Sequence, residues 1–197
     1  MLTLPVISSL ILAYVLGSIP TAVWIGKAFY DIDVREYGSG NAGATNTFRV
    51  LGKKAGIPVL LIDAFKGFAA VSLVHLFTEE PISTEAFVNY QLGLGIAAVI
   101  GHIFPLFAGF RGGKGIATLL GLMLGIHPEG ALLALVVFLL VFALTRFVSL
   151  GSMSAAISFP FLIVLVFQAT VPSLIIFSMF VAILVLVTHQ KNIERLV

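Results

Sequence analysis

The chain has 197 residues, 59% of them hydrophobic and only 10% charged, with a net charge of +2 and no cysteine. Soluble domains carry roughly 25% charged residues, so a mean hydropathy of +1.13 excludes a water-soluble globule, and lipid must solvate most of this surface. The lack of cysteine also excludes a disulfide framework, a thiolate nucleophile and a cysteine-ligated metal.

The first apolar run, Leu4–Ala28, has no basic flank before it and is too long for the apolar region of a signal peptide, so it reads as a retained transmembrane helix. On a ruler of about 20 apolar residues per crossing, further spans follow at Ala55–Phe77, Ala86–Ala108, Gly115–Ile126, Ala131–Thr145, Leu150–Ala169 and Val171–Thr188. The expected fold is an all-α integral membrane protein of seven transmembrane helices, forming a single domain over 1–197. The fourth span is short and reads as a re-entrant half-helix that begins from a glycine-rich loop and borders a cavity. Pro105 is expected to kink the third span and free a carbonyl near His102. Asp63 and Lys66, spaced i, i+3 in the second span, can satisfy each other where unpaired charge in lipid is costly. His75 and His127 read as interfacial.

The charge distribution orients this array. With the N-terminus outside and the C-terminus in the cytoplasm, Lys27, Arg35, Arg49, Lys53, Lys54, Arg111, Lys114, Arg146, Lys191 and Arg195 all fall on the cytoplasmic side. Only Lys66 is left, inside a span, while the outer side carries Glu79, Glu80, Glu85 and Glu129 and no base. That asymmetry is the positive-inside pattern.

Two polar islands interrupt the apolar sequence, both on the basic side. In REYGSGNAGATNTFRVLGKK at 35–54, Gly38, Gly40 and Gly43 allow close backbone approach, and Ser39, Asn41, Thr45 and Asn46 add hydrogen-bonding groups. Arg49 supplies a planar fork suited to phosphate, and a short helix with a Ser or Asn cap is expected to begin near Asn41. A plain flexible loop is the competing reading. Lys53 and Lys54 read as topology determinants that meet lipid headgroups. In FRGGKGIAT at 110–118, Gly112, Gly113 and Gly115 surround Lys114 just before a helix, an arrangement suited to anions by geometry and dipole. No Walker sequence is present, which argues against nucleotide hydrolysis. A third cytoplasmic segment, THQKNIERLV, places His189 and Asn192 on one helical face, although a histidine at a membrane boundary is also an ordinary interfacial residue. Ser149, beside the topology anchor Arg146, can line the same site. No carboxylate cluster or H-E-x-x-H run appears, so no metal ligands are expected.

Three of these motifs, GSGNAGATNTFRVLGKKAG at 38–56, GHIFPLFAGFRGGKGIAT at 101–118 and HQKNIERL at 189–196, resemble the bacterial acyl-phosphate:glycerol-3-phosphate acyltransferases of the PlsY family. The resemblance covers nearly the whole chain, in order. It implies a seven-helix enzyme of the bacterial inner (cytoplasmic) membrane with its site on the cytoplasmic face. Such an enzyme moves a fatty acyl group from acyl phosphate to the 1-hydroxyl of glycerol 3-phosphate, giving lysophosphatidic acid for phospholipid synthesis. It also implies that Ser39, Arg49, Lys114, His189 and Asn192 are the catalytic residues. Gly112, Gly113 and Gly115 would form the phosphate loop, with Asn41, Thr45 and Asn46 nearby and Ser149 as a further lining residue. The implied partners are the two substrates and the lipid bilayer, with no cofactor, metal or nucleic acid. Family members usually continue past the NIxRL segment with a short polar tail, whereas this sequence stops at Val197. Acyl phosphate carries its own leaving group, so direct attack by the glycerol hydroxyl suffices, with either His189 or a substrate phosphate taking the proton. An organic-phosphate transporter or channel is the alternative class; it would be expected to have two similar halves and a mid-membrane site.

Overall fold

The computed structural model describes residues 3–82 and 84–194, and these form helices joined by short loops, with no strand among them. The first expected span is one candidate crossing, Leu4–Tyr30, but it is interrupted, as helix α1 (Leu4–Gly17) and helix α2 (Thr21–Tyr30). The break has a simple origin: Pro20 has no N–H to continue the ladder, and the Ile19 carbonyl instead accepts from Lys66 Nζ at 2.9 Å. A short helix α3 (Ala44–Leu51) then leads through Gly52 into α4 (Lys53–Ser72), followed by one turn, α5 (Val74–Phe77). Helix α3 begins at Ala44 rather than Asn41, and its cap residue, Gly43, has no side chain to bond.

Helix α6 (Glu85–Ile103) ends before Pro105 instead of kinking through it. The chain then makes a 3-10 turn at Leu106–Ala108 and doubles back, with the Phe110 amide bonded to the Pro105 carbonyl at 2.9 Å. Proline constrains the residue before it to extended geometry, so a stop and a reversal take the place of the kink. Helix α7 (Ile116–Ile126) is short, as expected. Helix α8 (Pro128–Thr145) starts three residues earlier than expected because Pro128 sits in the first turn and His127 caps it, accepting from the Gly130 amide. Helix α9 (Val148–Phe161) continues as a π turn at Leu162–Val166, and α10 (Pro172–Thr188) is followed by a last turn, α11 (Gln190–Ile193).

Among the described residues, five helical segments are long and apolar enough to cross a membrane: Leu4–Tyr30, Lys53–Phe77, Glu85–Ala108, Pro128–Thr145 and Val148–Val166. Ile116–Ile126 and Pro172–Thr188 are shorter apolar helices. Outward-facing leucines such as Leu139, Leu140 and Leu144 on α8 leave apolar surface that only lipid or another apolar surface can cover. Inside, α4 and α7 cross almost backbone to backbone. A Cβ on Gly121 would lie 1.8 Å from the Ala64 carbonyl oxygen, and one on Gly67 would lie 2.1 Å from that of Thr118. Small residues at a membrane helix crossing permit this approach. It brings Asp63 and Lys66 of α4 level with Thr118 of α7, beneath the two glycine-rich loops.

Candidate active site

The first loop is built around Asn46. Its side chain is buried in α3; Oδ1 accepts from the Ser39 amide at 2.8 Å and the Ser39 hydroxyl at 3.1 Å, and Nδ2 donates to the carbonyls of Val34 and Tyr37 at 2.8 and 3.1 Å. All four hydrogen-bonding positions of the amide are thereby engaged, so Asn46 fixes the shape of the loop. Ser39 stays exposed, with its hydroxyl hydrogen turned inward. Thr45 and Arg49 lie on the exposed face of α3, Arg49 in its last turn, and Asn41 is half-buried before the helix.

The second loop is fastened to the end of α6. The amides of Gly112 and Gly113 donate to the Ile103 and His102 carbonyls at 3.1 and 3.2 Å. These are helix-end acceptors left without intrahelical partners, one of which the sequence expectation anticipated beside Pro105. The two amides are therefore engaged rather than open to a ligand. Gly113 is buried so closely that a Cβ would stand 2.3 Å from His102 Nε2 and 3.2 Å from the Ala42 carbonyl oxygen of the first loop. Gly115 adopts a φ of +78°, the left-handed region that glycine occupies without penalty, and so turns the chain into α7 directly after Lys114.

The third segment closes on the second. The Lys114 ammonium donates to Asn192 Oδ1. His189, buried at the end of α10, has Nδ1 2.8 Å from the Val185 carbonyl. A carbonyl only accepts, so Nδ1 carries the proton and Nε2 is the lone-pair nitrogen of the neutral ring. Burial lowers the His189 pKa below its ordinary value, and the positive charge of Lys114 pushes in the same direction, against the Val185 bond. Ser149 lies half-buried in the first turn of α9, and no hydrogen bond among the described residues ties it to the three segments. Arg195 and the end of the chain at Val197 lie outside the described residues.

Below the loops is a polar floor. Asp63 Oδ1 accepts from Lys66 Nζ at 2.9 Å and from the Thr21 hydroxyl at 3.0 Å, the two charged side chains being 2% and 4% exposed. The pairing of Asp63 with Lys66 is as expected. His102 Nδ1 lies 3.8 Å from the same oxygen and 3.1 Å from the Thr118 hydroxyl. Asp63, Lys66 and His102 line a small cavity together with Ala42, Gly112 and Gly113.

A family model described as Glycerol-3-phosphate acyltransferase matches residues 7–197. The chain belongs to the glycerol-3-phosphate acyltransferase family. A relative named glycerol-3-phosphate acyltransferase from Chlorobaculum tepidum is 43% identical over 95% of this chain and 91% of its own length. One of the same name from Chlorobium chlorochromatii is 44% identical over 100% of this chain and 94% of its own. Two crystal structures of PlsY, an integral membrane glycerol 3-phosphate acyltransferase, share the fold. The glycerol 3-phosphate form has a TM-score of 0.84 at 37% identity, and the lysophosphatidic acid form 0.81 at 36%; each covers 97% of this chain and 91% of its own.

In this acyltransferase-family chain the sequence missed two elements that shape the site. One is the Asp33–Arg35 pair: from the sequence, Arg35 counts only among the cytoplasmic bases and Asp33 has no assigned role. The Arg35 guanidinium bonds both Asp33 oxygens, at 2.9 and 2.7 Å, and holds the Asp33 carboxyl well below the usual carboxylate range. The reciprocal bond raises Arg35. The other is the His102–Thr118 contact with its Thr21 and Ile19 neighbours. Pro20 and Pro105 mark both helix interruptions in the sequence, but not what would pack into them.

Proposed function

We propose that this protein transfers a fatty acyl group from acyl phosphate to the 1-hydroxyl of glycerol 3-phosphate, giving lysophosphatidic acid and inorganic phosphate. The observation that carries the reading is the convergence of three remote segments on Lys114. Its loop meets Ala42 of the first loop on one side, and its ammonium is bonded to Asn192, next to His189, on the other. Two anionic substrates repel each other, and fixed cations from different segments offset that repulsion while orienting both groups. Lys114 and Arg49 take the phosphates, with Ser39, Asn41, Thr45, Asn192 and the first-turn amides of α7 as further partners. Asn46 and the pair Gly112 and Gly113 hold this arrangement, Gly115 starts the helix, and Ser149 lines the edge.

In the reaction the glycerol 1-hydroxyl oxygen bonds the acyl carbon, the bond from that carbon to the phosphate oxygen breaks, and phosphate leaves with the electron pair. No covalent enzyme intermediate is needed. The hydroxyl proton passes to a substrate phosphate in our preferred version; His189 Nε2 is the alternative acceptor. No cofactor or metal takes part.

The same reading places the site on the cytoplasmic face of a bacterial inner membrane, with 1–197 as one unit, seven spans and the N-terminus outside. The split of ten loop bases against none supports it. The fourth span, Ile116–Ile126, is about 16 Å long at 1.5 Å per residue, so it reaches only about half of a 30 Å core, which suits a helix that begins at a site within the membrane boundary.

Purified protein in detergent should convert palmitoyl phosphate and labelled glycerol 3-phosphate to lysophosphatidic acid, and palmitoyl-CoA should not replace the donor. An organic-phosphate transporter would yield no product, since detergent leaves no sealed compartment.

A further inference from the structure

We infer that Arg35, held by Asp33, is a positioning residue that sets the separation of the two phosphate-handling loops; this rests on the site proposed above. Arg49 and Ser39 come from the first loop and Lys114 from the second, and the chain between them runs through α4, α5 and α6. Chain connectivity therefore does not fix how far apart these groups stand. The Arg35 guanidinium does connect the loops. Nε and Nη2 donate to Asp33 Oδ1 and Oδ2 at 2.9 and 2.7 Å, while Nη1 donates to the Ala108 carbonyl at 2.7 Å and the Arg111 carbonyl at 3.3 Å. These two carbonyls lie on the stretch between the end of α6 and Lys114.

Both ends of the tie are themselves anchored. The Arg35 amide donates to Asp33 Oδ1 at 3.0 Å, and the Arg35 carbonyl lies 3.4 Å from where a Cβ on Gly40 would stand, directly beside Ser39. The far end reaches Arg111, next to the Gly112 and Gly113 amides that are bonded to α6. The Arg35 side chain is 15% exposed and that of Asp33 10%, so the contact is shielded and not a mobile surface pair. A guanidinium suits this place because it presents a planar fork to a carboxylate and still has donors for carbonyls; an ammonium makes a single-point contact and cannot reach all four acceptors. Two phosphates held from two loops have to meet within a small tolerance, and a misplacement of about 1 Å costs on the order of a hundredfold in rate.

The experiment compares the full-length parent with Arg35→Ala, Arg35→Lys and Lys114→Ala, all purified in detergent. Steady-state lysophosphatidic acid formation is measured with and without millimolar guanidinium chloride, and with ammonium chloride as a control. For Arg35→Ala the expected result is a rise of about tenfold or more in KM for glycerol 3-phosphate, with kcat also lowered. Guanidinium should partly reverse the defect by entering the place between Asp33 and the two carbonyls; ammonium should not, and neither ion should restore Lys114→Ala. A residue that merely held the fold would lower the active fraction and leave KM unchanged. Parental KM and kcat in Arg35→Ala, or a loss that tracks folded protein with unchanged KM and no guanidinium recovery, overturns the proposal. If Arg35→Ala yields no folded protein, Arg35→Lys, which keeps the charge, should show the same KM rise, and a parental KM there overturns it. If Lys114→Ala turns over like the parent, the site assignment itself falls and the tie with it. If Lys114→Ala is inactive and Arg35→Ala parental, only the tie falls.

Discussion

The buried charges beneath the loops give the sharpest test of what holds the site in place. Replacing Asp63 with Ala leaves the Lys66 ammonium at 4% exposure with the Ile19 carbonyl as its remaining acceptor, and breaking a buried pair by removing one partner costs about 3–5 kcal/mol. Lys66→Met strands the carboxylate in the same way and also takes one donor from Ile19. If the two sites were independent, the double variant Asp63→Leu/Lys66→Met would lose roughly 6–10 kcal/mol, the sum of two such breaks. It strands no charge, however. Among the described groups, the Ile19 carbonyl keeps the Thr21 amide at 3.0 Å, and the Thr21 hydroxyl loses its acceptor, at about 1–3 kcal/mol. The double variant should therefore be no less stable than either single one. Unfolding in mixed micelles titrated with SDS, followed by circular dichroism, measures this directly. Additive destabilisation would refute the view that the pair is one closed electrostatic unit.

Other outcomes follow from the loop geometry. Gly113→Ala pushes a methyl into His102 and toward the Ala42 carbonyl, so overpacking should lower stability by about 1–3 kcal/mol and raise KM; parental thermal stability in a purified variant would contradict the close packing. Arg49→Lys should weaken use of a phosphate substrate by about tenfold or more because a single point replaces a fork; near-parental turnover at limiting glycerol 3-phosphate would refute the fork. His189 has a lowered pKa. The stability it gives as a neutral ring is thus present above the unfolded value of about 6.5 and is lost as pH falls through its lower folded value. If a substrate phosphate takes the proton, a rate limb near pH 6 comes from its second ionisation, so His189→Gln should keep the limb and lose less than about a hundredfold in turnover. A vanished limb with a larger defect would make His189 the base.

Composition made the class of this protein plain, and periodic apolar runs located its helices to within a few residues. The errors sit at Pro20 and Pro105, where a run of apolar residues continues but the backbone ladder cannot. Hydropathy does not distinguish these two prolines, near which a helix stops, from Pro58 and Pro160, which lie inside α4 and α9. The Asp63–Lys66 pair was legible because it is local, three residues apart on one helix. Arg35 was not: its partners Ala108 and Arg111 lie more than seventy residues away, and carbonyl acceptors leave no trace in side-chain sequence. Asn46 was read as a ligand donor from its residue type, while the structure uses its whole amide to shape the Ser39 loop. The Lys114–Asn192 contact spans 78 positions and was anticipated only through the resemblance of three motifs, not through any local pattern.

Lys114, bonded to Asn192, is the residue proposed to hold substrate phosphate for acyl transfer. The most direct measurement is lysophosphatidic acid formation from palmitoyl phosphate and glycerol 3-phosphate by purified Lys114→Ala beside the parent. The expected result is a folded variant with turnover reduced by about a hundredfold or more and no recovery at high substrate. A folded Lys114→Ala with parental kcat and KM would contradict it.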